Sequence, residues 1–468
     1  MKSINKIESE LKNSNNDFID NDLRPFLRIP SNTSNKEGIQ KAKDYIISYI
    51  NSFSEEITEY QGISNPLFLA KVDGKTKDKL LIYMMYDTQP ISKEEDWICD
   101  PFGAEIHKLD YPLDDLGNCI IARGAYNSKT PLICFLNVVR ELKRNNRLPI
   151  SLLFLFDGEE EIGSPTLLKF IEEKKKVFKD CIDAYYPSTK QSMSGNSILK
   201  LGYKGILSLT IKVSSKNKEP HSAFSAMIPN PAADLISILN SIYANNEFQI
   251  ECLNKSYNIS KEDQKLLDKL MTTLDIDKIK EKAGILETRV SDQKKIFMGY
   301  LFNPTFNIST LKSGFLDEGT KNYVPNEAIC NVDIRFAHDL PVDVLFQEIK
   351  GKIEEFSKSS KSEIKLIKNL GYESSRVNKD SLLVKSLIKS ALTLGVQTEL
   401  WPISAAAAPL SKIQKILGLN FITGGLGIGG FAHSANEFIQ YDSIINTRLS
   451  YYYFLREYSN LHKDGDYI

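Results

Sequence analysis

Apolar residues in the first part of the chain fall into short continuous runs separated by stretches with helical spacing. Residues 79–87 and 150–157 are two such runs, each ending at an aspartate, and both are typical of buried strands. Residues 129–146 carry apolar side chains at helical spacing, and a second helix is predicted after Ser164 and Pro165, a favoured pair at a helix N-terminus. Strand, helix, strand and helix in this order predict an α/β fold with a mostly parallel sheet.

The middle of the chain follows a different pattern, in which strands with alternating polar and apolar residues predominate. Residues 205–214 alternate in this way, and Asn230 is predicted to cap the helix that follows it. Another helix is predicted over 341–356. These elements together indicate an α+β unit. Helical, apolar character then returns near residues 379–394.

The change of pattern predicts the domain organisation. We expect a discontinuous α/β domain formed by residues 1–205 and 373–468, interrupted by an inserted α+β domain over 206–372. The first part of the α/β domain, to about Asn35, is polar and is predicted to be a surface arm. Asp442 is predicted to cap the last helix of the chain.

Composition narrows the class of protein. The 468 residues include 59 Lys and Arg against 60 Asp and Glu, and a net charge of −1 argues against nucleic-acid binding. No apolar run reaches the roughly 18 residues that a membrane span needs, and the N-terminal residues lack the apolar segment of a signal peptide. The six cysteines form no CxxC pair and are expected as reduced thiols. We therefore expect a cytoplasmic protein that binds neither nucleic acid nor membranes.

Three polar segments contain candidate catalytic or metal-binding residues. The acidic segment 157–163 follows a predicted buried strand, where the sites of open α/β folds collect. Adjacent carboxylates there can divide metal ligation and proton transfer between them. His433 follows glycines at 429–430 that suit a close backbone approach, and His221 follows the first strand of the inserted domain. Each segment also has a plain structural interpretation, as a solvated acidic turn or as a structural or exposed histidine.

These segments belong to a larger set that matches a known family in order along the chain. The matching segments are LLIYMMYDTQP (80–90), DWICDPFGAEI (96–106), IARGAYNSKTPL (121–132), LFDGEEEIGSP (155–165), LGYKG (201–205), HSAFSAMIPNP (221–231), EGTKNYVPNEA (318–328), VDIRF (332–336) and FAHSANEF (431–438). The chain thereby resembles the M20 family of dinuclear zinc hydrolases, particularly its carnosinase-like dipeptidase branch. The resemblance implies a zinc-peptidase-like catalytic domain for the α/β part and a lid and dimerisation domain for the inserted α+β part.

Five positions keep the residue types that the family uses. The resemblance implies that Glu160 is the general base and that Glu161 and His433 are metal ligands. It implies that His221 reaches the active site of a partner subunit. Arg335 matches an arginine that binds the substrate carboxylate.

Other positions depart from the family. Met85 stands where the family has a metal-binding histidine, and Asn127 where it has an aspartate that bridges two metals. Ser188 or Thr189 stands where it has a third acid. Asp87 matches the aspartate that orients the missing histidine, so here it is expected to bond to the backbone or to a nearby polar group.

These departures imply a degenerate metal site. The first metal position is lost, while the second keeps Glu161, His433 and, as a weak neutral ligand, the carbonyl oxygen of Asn127. We expect at most one zinc ion per chain, with no bound metal as the alternative. Residues 402–409 also differ, because alanines stand where the family has a Gly-Gly-Ser-type loop near the substrate carboxylate. Ordinary packing is the alternative interpretation of these alanines.

Two functions therefore remain open. The first is a hydrolase of peptide or N-acyl amide bonds, of dipeptidase, carboxypeptidase or deacylase type, acting on a small peptide or an N-acyl amino acid. The second is a non-catalytic homologue that acts as a binding or partner subunit. The retained residues favour the first function and the lost ligands favour the second. In both cases we expect a homodimer through the lid, with an edge strand and a helix within 205–246 pairing with their two-fold mates.

Overall fold

The computed structural model describes residues 4–282, 284–408 and 410–463. Its helices are α1 (Ile4–Asn13), α2 (Asn15–Phe18), α3 (Arg24–Leu27), α4 (Lys36–Ile50), α5 (Lys129–Arg144), α6 (Pro165–Glu173), α7 (Pro231–Ile242), α8 (Glu251–Asn254), α9 (Lys261–Met271), α10 (Ile276–Lys282), α11 (Gln293–Phe302), α12 (Val342–Ser357), α13 (Leu382–Thr393), α14 (Leu410–Leu417) and α15 (Ile444–Lys463). Its strands are β1 (Glu56–Tyr60), β2 (Leu67–Val72), β3 (Lys79–Met85), β4 (Glu105–Lys108), β5 (Asn118–Ile121), β6 (Ser151–Asp157), β7 (Cys181–Pro187), β8 (Ser197–Lys200), β9 (Gly202–Tyr203), β10 (Gly205–Ser214), β11 (Tyr243–Ala244), β12 (Glu247–Phe248), β13 (Thr305–Ser313), β14 (Glu327–Phe336), β15 (Glu363–Tyr372), β16 (Ser375–Arg376), β17 (Thr398–Trp401), β18 (Asn420–Gly424), β19 (Gly429–Gly430) and β20 (Phe438–Gln440).

A six-stranded sheet with the order β1-β2-β6-β3-β7-β18 forms the centre of the first structural unit. The strands β6, β3, β7 and β18 run parallel to one another, whereas β1 and β2 are joined to the sheet by antiparallel pairing. Every residue of β6 is buried, as expected for a strand that is covered on both faces. The predicted α/β fold with a mostly parallel sheet is thus confirmed, with two antiparallel strands added at one edge.

Helices and a smaller sheet complete this unit. The helices α5 and α15 pack against each other and bury most of their residues. The smaller sheet is antiparallel and has the order β19-β20-β5-β4. The loop between β19 and β20 carries His433, so the small sheet positions one of the candidate site residues.

A four-stranded antiparallel sheet, β13-β14-β10-β15, forms the second unit together with α7 and α12. One face of β10 packs into a core with the two helices, which explains its alternating burial. The prediction of an edge strand within 205–246 is wrong, because β10 pairs with β14 on one side and with β15 on the other. Alternation reports which face of a strand is buried, and it carries no information on whether both of its sides are paired. The edges of this sheet are β13 and β15.

Backbone contacts divide the chain into these two units. The first contains the described residues of Met1–Leu201, Val377–Trp401 and Lys412–Ile468, and the second contains those of Gly202–Arg376 and Pro402–Ser411. The sequence assigned the segment 402–411 to the first unit, whereas it groups with the second. The roles of these units as catalytic domain and lid stay predictions.

The N-terminal segment is not the polar surface arm that its composition predicted. It forms α1 to α3, and its apolar residues, among them Leu11 and Phe26, are completely buried. α1 packs against α15, and the buried guanidinium of Arg448 donates to the carbonyl of Leu11. The prediction failed because a few apolar residues at helical spacing are enough to bury one face of an otherwise polar helix.

No helix within residues 4–282, 284–408 and 410–463 combines the length and the apolar character that crossing a membrane requires. The six cysteines all lie in these ranges and are free thiols, as the sequence predicted. Four of them are buried, while Cys99 and Cys252 are partly exposed.

Candidate functional site

The candidate residues of the first unit lie at the ends of its strands. Glu160 and Glu161 form a short helical turn directly after β6, and Asp87 follows β3 by two residues. Asn127 precedes α5, and His433 lies in the loop between β19 and β20. Because parallel strands end at the same edge of a sheet, side chains that are distant in sequence meet there.

Three of these side chains are in mutual contact. The Nδ2 atom of Asn127 donates to Oε1 of Glu161 over 3.2 Å and lies 3.1 Å from Nε2 of His433. The same Nε2 atom lies 3.3 Å from Oε1 of Glu161. The other carboxylate oxygen of Glu161 accepts a hydrogen bond of 2.8 Å from the Gln89 amide, which the sequence analysis did not single out. The polar side chains thus converge on the Glu161 carboxylate.

The loop that carries His433 has a constrained backbone. Phe431, His433 and Asn436 all have positive φ angles of 58°, 64° and 59°, a conformation that is uncommon for residues with a side chain. Gly429 makes the close backbone approach that the sequence predicts, because a Cβ atom there would lie 2.4 Å from the carbonyl oxygen of Phe438. This backbone directs the half-exposed His433 ring towards Glu161.

Electrostatics distinguish the two neighbouring glutamates. Burial raises the pKa of Glu160 to about 8, with further contributions from Glu161 and Asp157, while His433 and Lys190 oppose this rise. The hydrogen bond to Glu161 raises the pKa of His433. With a pKa raised in this way and no metal ion bound, Glu160 is mostly protonated near neutral pH and is a poor base.

Asp87 holds the acidic turn in place. Its carboxylate oxygens accept hydrogen bonds from the backbone N–H groups of Glu160 (3.3 Å) and Glu161 (3.0 Å). Burial raises its pKa well above the usual range, and Asp157 and Glu160 add to this effect. The side chain is fully buried, and these two hydrogen bonds connect it to the backbone of the site residues.

Met85, Ser188 and Thr189 are the positions at which the resemblance implies that a metal ligand is missing. Met85 is the last residue of β3, is paired with Asp157 on β6, and is 1% exposed. Ser188 and Thr189 both follow β7, and the Thr189 hydroxyl donates to the carbonyl oxygen of Tyr126, the residue next to Asn127. The Ser188 hydroxyl accepts from Thr423 instead.

The Ser164 cap predicted for the helix after the acidic turn is not formed. Ser164 makes no side-chain bond to the helix N-terminus and has a φ angle of 53°. Its hydroxyl donates instead to the Asp157 carboxylate over 2.6 Å, as does the hydroxyl of Tyr83 over 3.0 Å. Burial raises the pKa of Asp157 to about 6 despite these hydrogen bonds. Asp442 was predicted to cap the last helix. It lies within a short helical turn ahead of α15, which begins at Ile444.

Glu437 is a supporting residue that the sequence analysis missed. One carboxylate oxygen accepts hydrogen bonds from the backbone N–H of Gly124 and from the guanidinium of Arg123. The other accepts from the backbone N–H groups of Tyr126 and Asn127. Glu437 thus fixes the backbone that presents the Asn127 side chain. The quoted segment FAHSANEF contains this residue, but the alternation of residue types gives no sign of its partners.

We expect replacement of Glu437 by alanine to lower the free energy of unfolding by about 3 kcal/mol or more. The change removes the acceptor of three buried backbone N–H groups. It also breaks the buried ion pair with the Arg123 guanidinium, which is strongly destabilising. Chemical denaturation measures the effect. The control is Glu172→Ala, an exposed glutamate on α6, for which a change within about 0.5 kcal/mol is expected. An equally small change for Glu437→Ala would contradict the supporting role.

The second unit carries the two remaining candidates. His221 is exposed, and its Nδ1 atom accepts a hydrogen bond from the backbone N–H of Ala223. Arg335 lies on β14, 3.6 Å from the Asp333 carboxylate, and its side chain is 37% exposed. Both side chains are accessible, while their roles towards a substrate or a partner subunit stay predictions.

The alanine-containing segment is held by backbone hydrogen bonds in the second unit. The N–H of Lys204 donates to the carbonyl oxygens of Ser404 and Ala406, and the N–H of Ser404 donates to the carbonyl of Gly202. Pro409, the last residue of the segment as the sequence analysis defined it, lies outside the described residues. The methyl groups of the segment therefore belong to an ordered loop.

The three side chains that meet at Glu161 have the spacing of ligands around one tetrahedral cation. Ligand atoms 2.0–2.1 Å from a tetrahedral zinc ion lie about 3.3 Å from one another. The atoms of Asn127, Glu161 and His433 are 3.1–3.3 Å apart, provided that the Asn127 amide turns by 180° to present its oxygen.

Carboxylates and a histidine at the edge of a mostly parallel sheet, together with a second α+β unit, define the class of metallopeptidase-like hydrolases. A sequence model described as peptidase family M20/M25/M40 matches residues 81–457. The chain belongs to this family, as the resemblance of its motifs predicted.

Known relatives agree with this assignment. The beta-Ala-His dipeptidase of Rattus norvegicus is 24% identical over 424 residues, which cover 87% of this chain and 83% of the relative. The Cys-Gly metallodipeptidase dug1 of Schizosaccharomyces pombe is 26% identical over 304 residues, 63% of this chain and 61% of the relative. Among solved structures, an M20 family metallo-carboxypeptidase of Sulfolobus solfataricus aligns with a TM-score of 0.82 and 25% identity, covering 94% of this chain and 98% of the other.

Proposed function

We propose that this chain is an M20-type hydrolase of peptide or N-acyl amide bonds that works with a single zinc ion. In this proposal Glu161, His433 and the oxygen of Asn127 hold the ion. The first metal position is lost in this proposal, because Met85 and Thr189 stand where the family has metal ligands. The substrate class is a small peptide or an N-acyl amino acid, in keeping with the dipeptidases among the relatives.

The triangle formed by Asn127, Glu161 and His433 carries this proposal. Its three sides match the ligand spacing of a tetrahedral zinc ion, and catalytic zinc sites have three protein ligands with one position left open. Only Glu161 supplies a negative charge, so the affinity for zinc is expected to be lower than that of a site with two carboxylates.

The chemistry divides between the ion and Glu160. A bound zinc ion would polarise the substrate carbonyl and lower the pKa of a coordinated water. The positive charge also favours the ionised form of Glu160, which can then accept a proton from the attacking water. As the water oxygen bonds to the carbonyl carbon and the C–N bond breaks, Glu160 returns that proton to the leaving nitrogen. Asp87 keeps the turn in position throughout.

The second unit supplies the remaining parts of the proposal. Arg335 is proposed to bind the substrate carboxylate, and His221 to act at the active site of a partner subunit. The chain is proposed to be a cytoplasmic homodimer that associates through this unit. The edge strands β13 and β15, rather than β10, are the ones available for pairing, and β13 exposes Ile308 and Leu311. A monomer in light scattering at micromolar concentration would contradict the dimer.

A non-catalytic binding or partner subunit is the second candidate function. It is favoured by the neutral Asn127, whose amide donates a hydrogen bond to Glu161. The alanines within 402–409 add to it, because their methyl groups reduce the space available beside the backbone.

Zinc content distinguishes the two candidates. Protein purified without chelator is expected to contain one zinc ion more than the Glu161→Gln variant and the His433→Asn variant, because each variant loses a ligand. His462→Asn, which changes a histidine on α15, serves as the matched control and should retain the full amount. Dipeptides and N-acyl amino acids should be hydrolysed, and a chelator should stop the reaction until zinc is added. Equal zinc content in wild type and both ligand variants would support the non-catalytic function instead.

A further inference from the structure

A second group of metal-ligating side chains lies in the first unit, on the small sheet. Cys99, Glu105 and His107 offer a thiol, a carboxylate and an imidazole whose ligand atoms all lie within 4.8 Å of one another. In the part of the chain that the structure describes, this is the one group of three such residues that is this compact. None of them belongs to the proposed catalytic site.

The architecture of the sheet explains why these residues meet. Glu105 and His107 are two apart on β4, so that their side chains point to the same face, and Nε2 of His107 lies 3.1 Å from the Glu105 carboxylate. Cys99 reaches this face from the preceding loop, where it packs against the core formed by Leu109, Cys119, Ile121 and Phe438. Glu105 is paired with Ile121 and His107 with Cys119, so the two polar side chains lie on the same face of the sheet as the core that Cys99 contacts.

We propose that Cys99, Glu105 and His107 form a zinc-binding site separate from the catalytic one. The distance between Glu105 and His107 is already close to the 3.3 Å or so that two ligands of a tetrahedral zinc ion show, and the sulfur needs to lie about 3.6 Å from each. Thiolate with imidazole suits zinc and related transition metals rather than magnesium or calcium. With three protein ligands, a fourth position stays open to solvent.

Such an ion would act on the loop that carries His433. The backbone N–H of Ile98, next to Cys99, donates to the Asn436 side chain, and the Asn436 amide donates to the carbonyl of Asp96. Asn436 lies three residues after His433. Fixing Cys99 against β4 therefore also fixes one end of this loop, which makes the proposed site a positioning element for a catalytic ligand.

Cobalt substitution tests this site independently of the catalytic one. Metal-stripped protein is titrated with Co²⁺, which gives a sulfur-to-cobalt charge-transfer absorption only when a thiolate binds the ion. We expect this band in wild type and also in the Glu161→Gln/His433→Asn double variant. Cys99→Ser should abolish the band, whereas Cys252→Ser, which changes the other partly exposed cysteine, should retain it. His107→Asn should weaken cobalt binding at this site at least about tenfold, since even indirect supports of a metal site contribute this much.

The proposal is overturned by any of three results. The first is cobalt binding without the thiolate band, and the second is a band that Cys99→Ser leaves unchanged. The third is a band that disappears in the Glu161→Gln/His433→Asn variant, which would mean that the thiol and the catalytic residues do not bind separate ions. Failure of the proposed hydrolase would look different, because the band would persist while no amide bond is cleaved.

Discussion

Replacement of Glu160 by glutamine is expected to reduce amide hydrolysis by about 100-fold to 10,000-fold, the range that a positioned general base contributes. Glutamine has nearly the same shape but cannot accept and return a proton. The backbone N–H of residue 160 remains available to Asp87, so the turn should keep its geometry. The measurement is kcat/KM for a dipeptide, or for an N-acyl amino acid, that wild type cleaves.

The Glu160→Gln variant should bind as much zinc as wild type, which separates it from the ligand variants. Glu161→Gln should lose both zinc and activity, because its carboxylate is the one charged ligand of the proposed site. Glu172→Gln on α6 should change neither quantity. If Glu160→Gln retained full activity, proton transfer would have to involve another residue, and the assignment of Glu160 would be wrong.

The centre of the sheet was predictable from the sequence because β3 and β6 are buried on both faces. Residues 79–87 and 150–157 are almost continuously apolar, and such runs have few alternatives in an α/β protein. The place of the site followed from the same runs, because the acidic residues come directly after them. The neighbours of a strand in its sheet were harder to predict from the sequence. The sequence of β10 shows its buried face but not its two neighbours, and this made it look like an edge strand.

Contacts over long sequence separation could not be predicted from the local pattern. Asn127 and His433 are 306 residues apart, and only the resemblance to the M20 family suggested that they meet. Glu437 was missed because its donors are backbone N–H groups of a distant loop, and backbone groups leave no trace in residue types. The cluster at Cys99 was missed for a related reason. Its thiol is separated from Glu105 and His107 by a turn whose path the sequence does not define.

The metal position that we propose to be lost should be recoverable by restoring its ligands. We expect the Met85→His/Asn127→Asp/Thr189→Asp variant to bind one more zinc ion than its parent. Thr189 is preferred to Ser188 because its hydroxyl already reaches the residue next to Asn127. Met85 ends β3 close to Asp87, which can then orient the new imidazole. The parent carries Cys99→Ser so that elemental analysis counts only ions at the sheet edge.

Charge decides which partial repairs should fail. Met85→His alone adds a neutral ligand, and two dications at one site need several carboxylates to offset their repulsion, so its zinc content should stay at the parental value. In the triple variant the Asn127→Asp carboxylate lies next to the Glu161 carboxylate, and like charges about 4 Å apart repel by about 4 kcal/mol near a protein surface. The metal-free triple variant should therefore melt at a lower temperature than its parent, and zinc should restore the loss.

Replacing Thr189→Asp by Ser188→Asp in the triple variant should give a smaller gain of zinc, because the Ser188 hydroxyl faces Thr423. A triple variant that folds and takes up no additional zinc would show that the missing ligands are not what limits metal binding here.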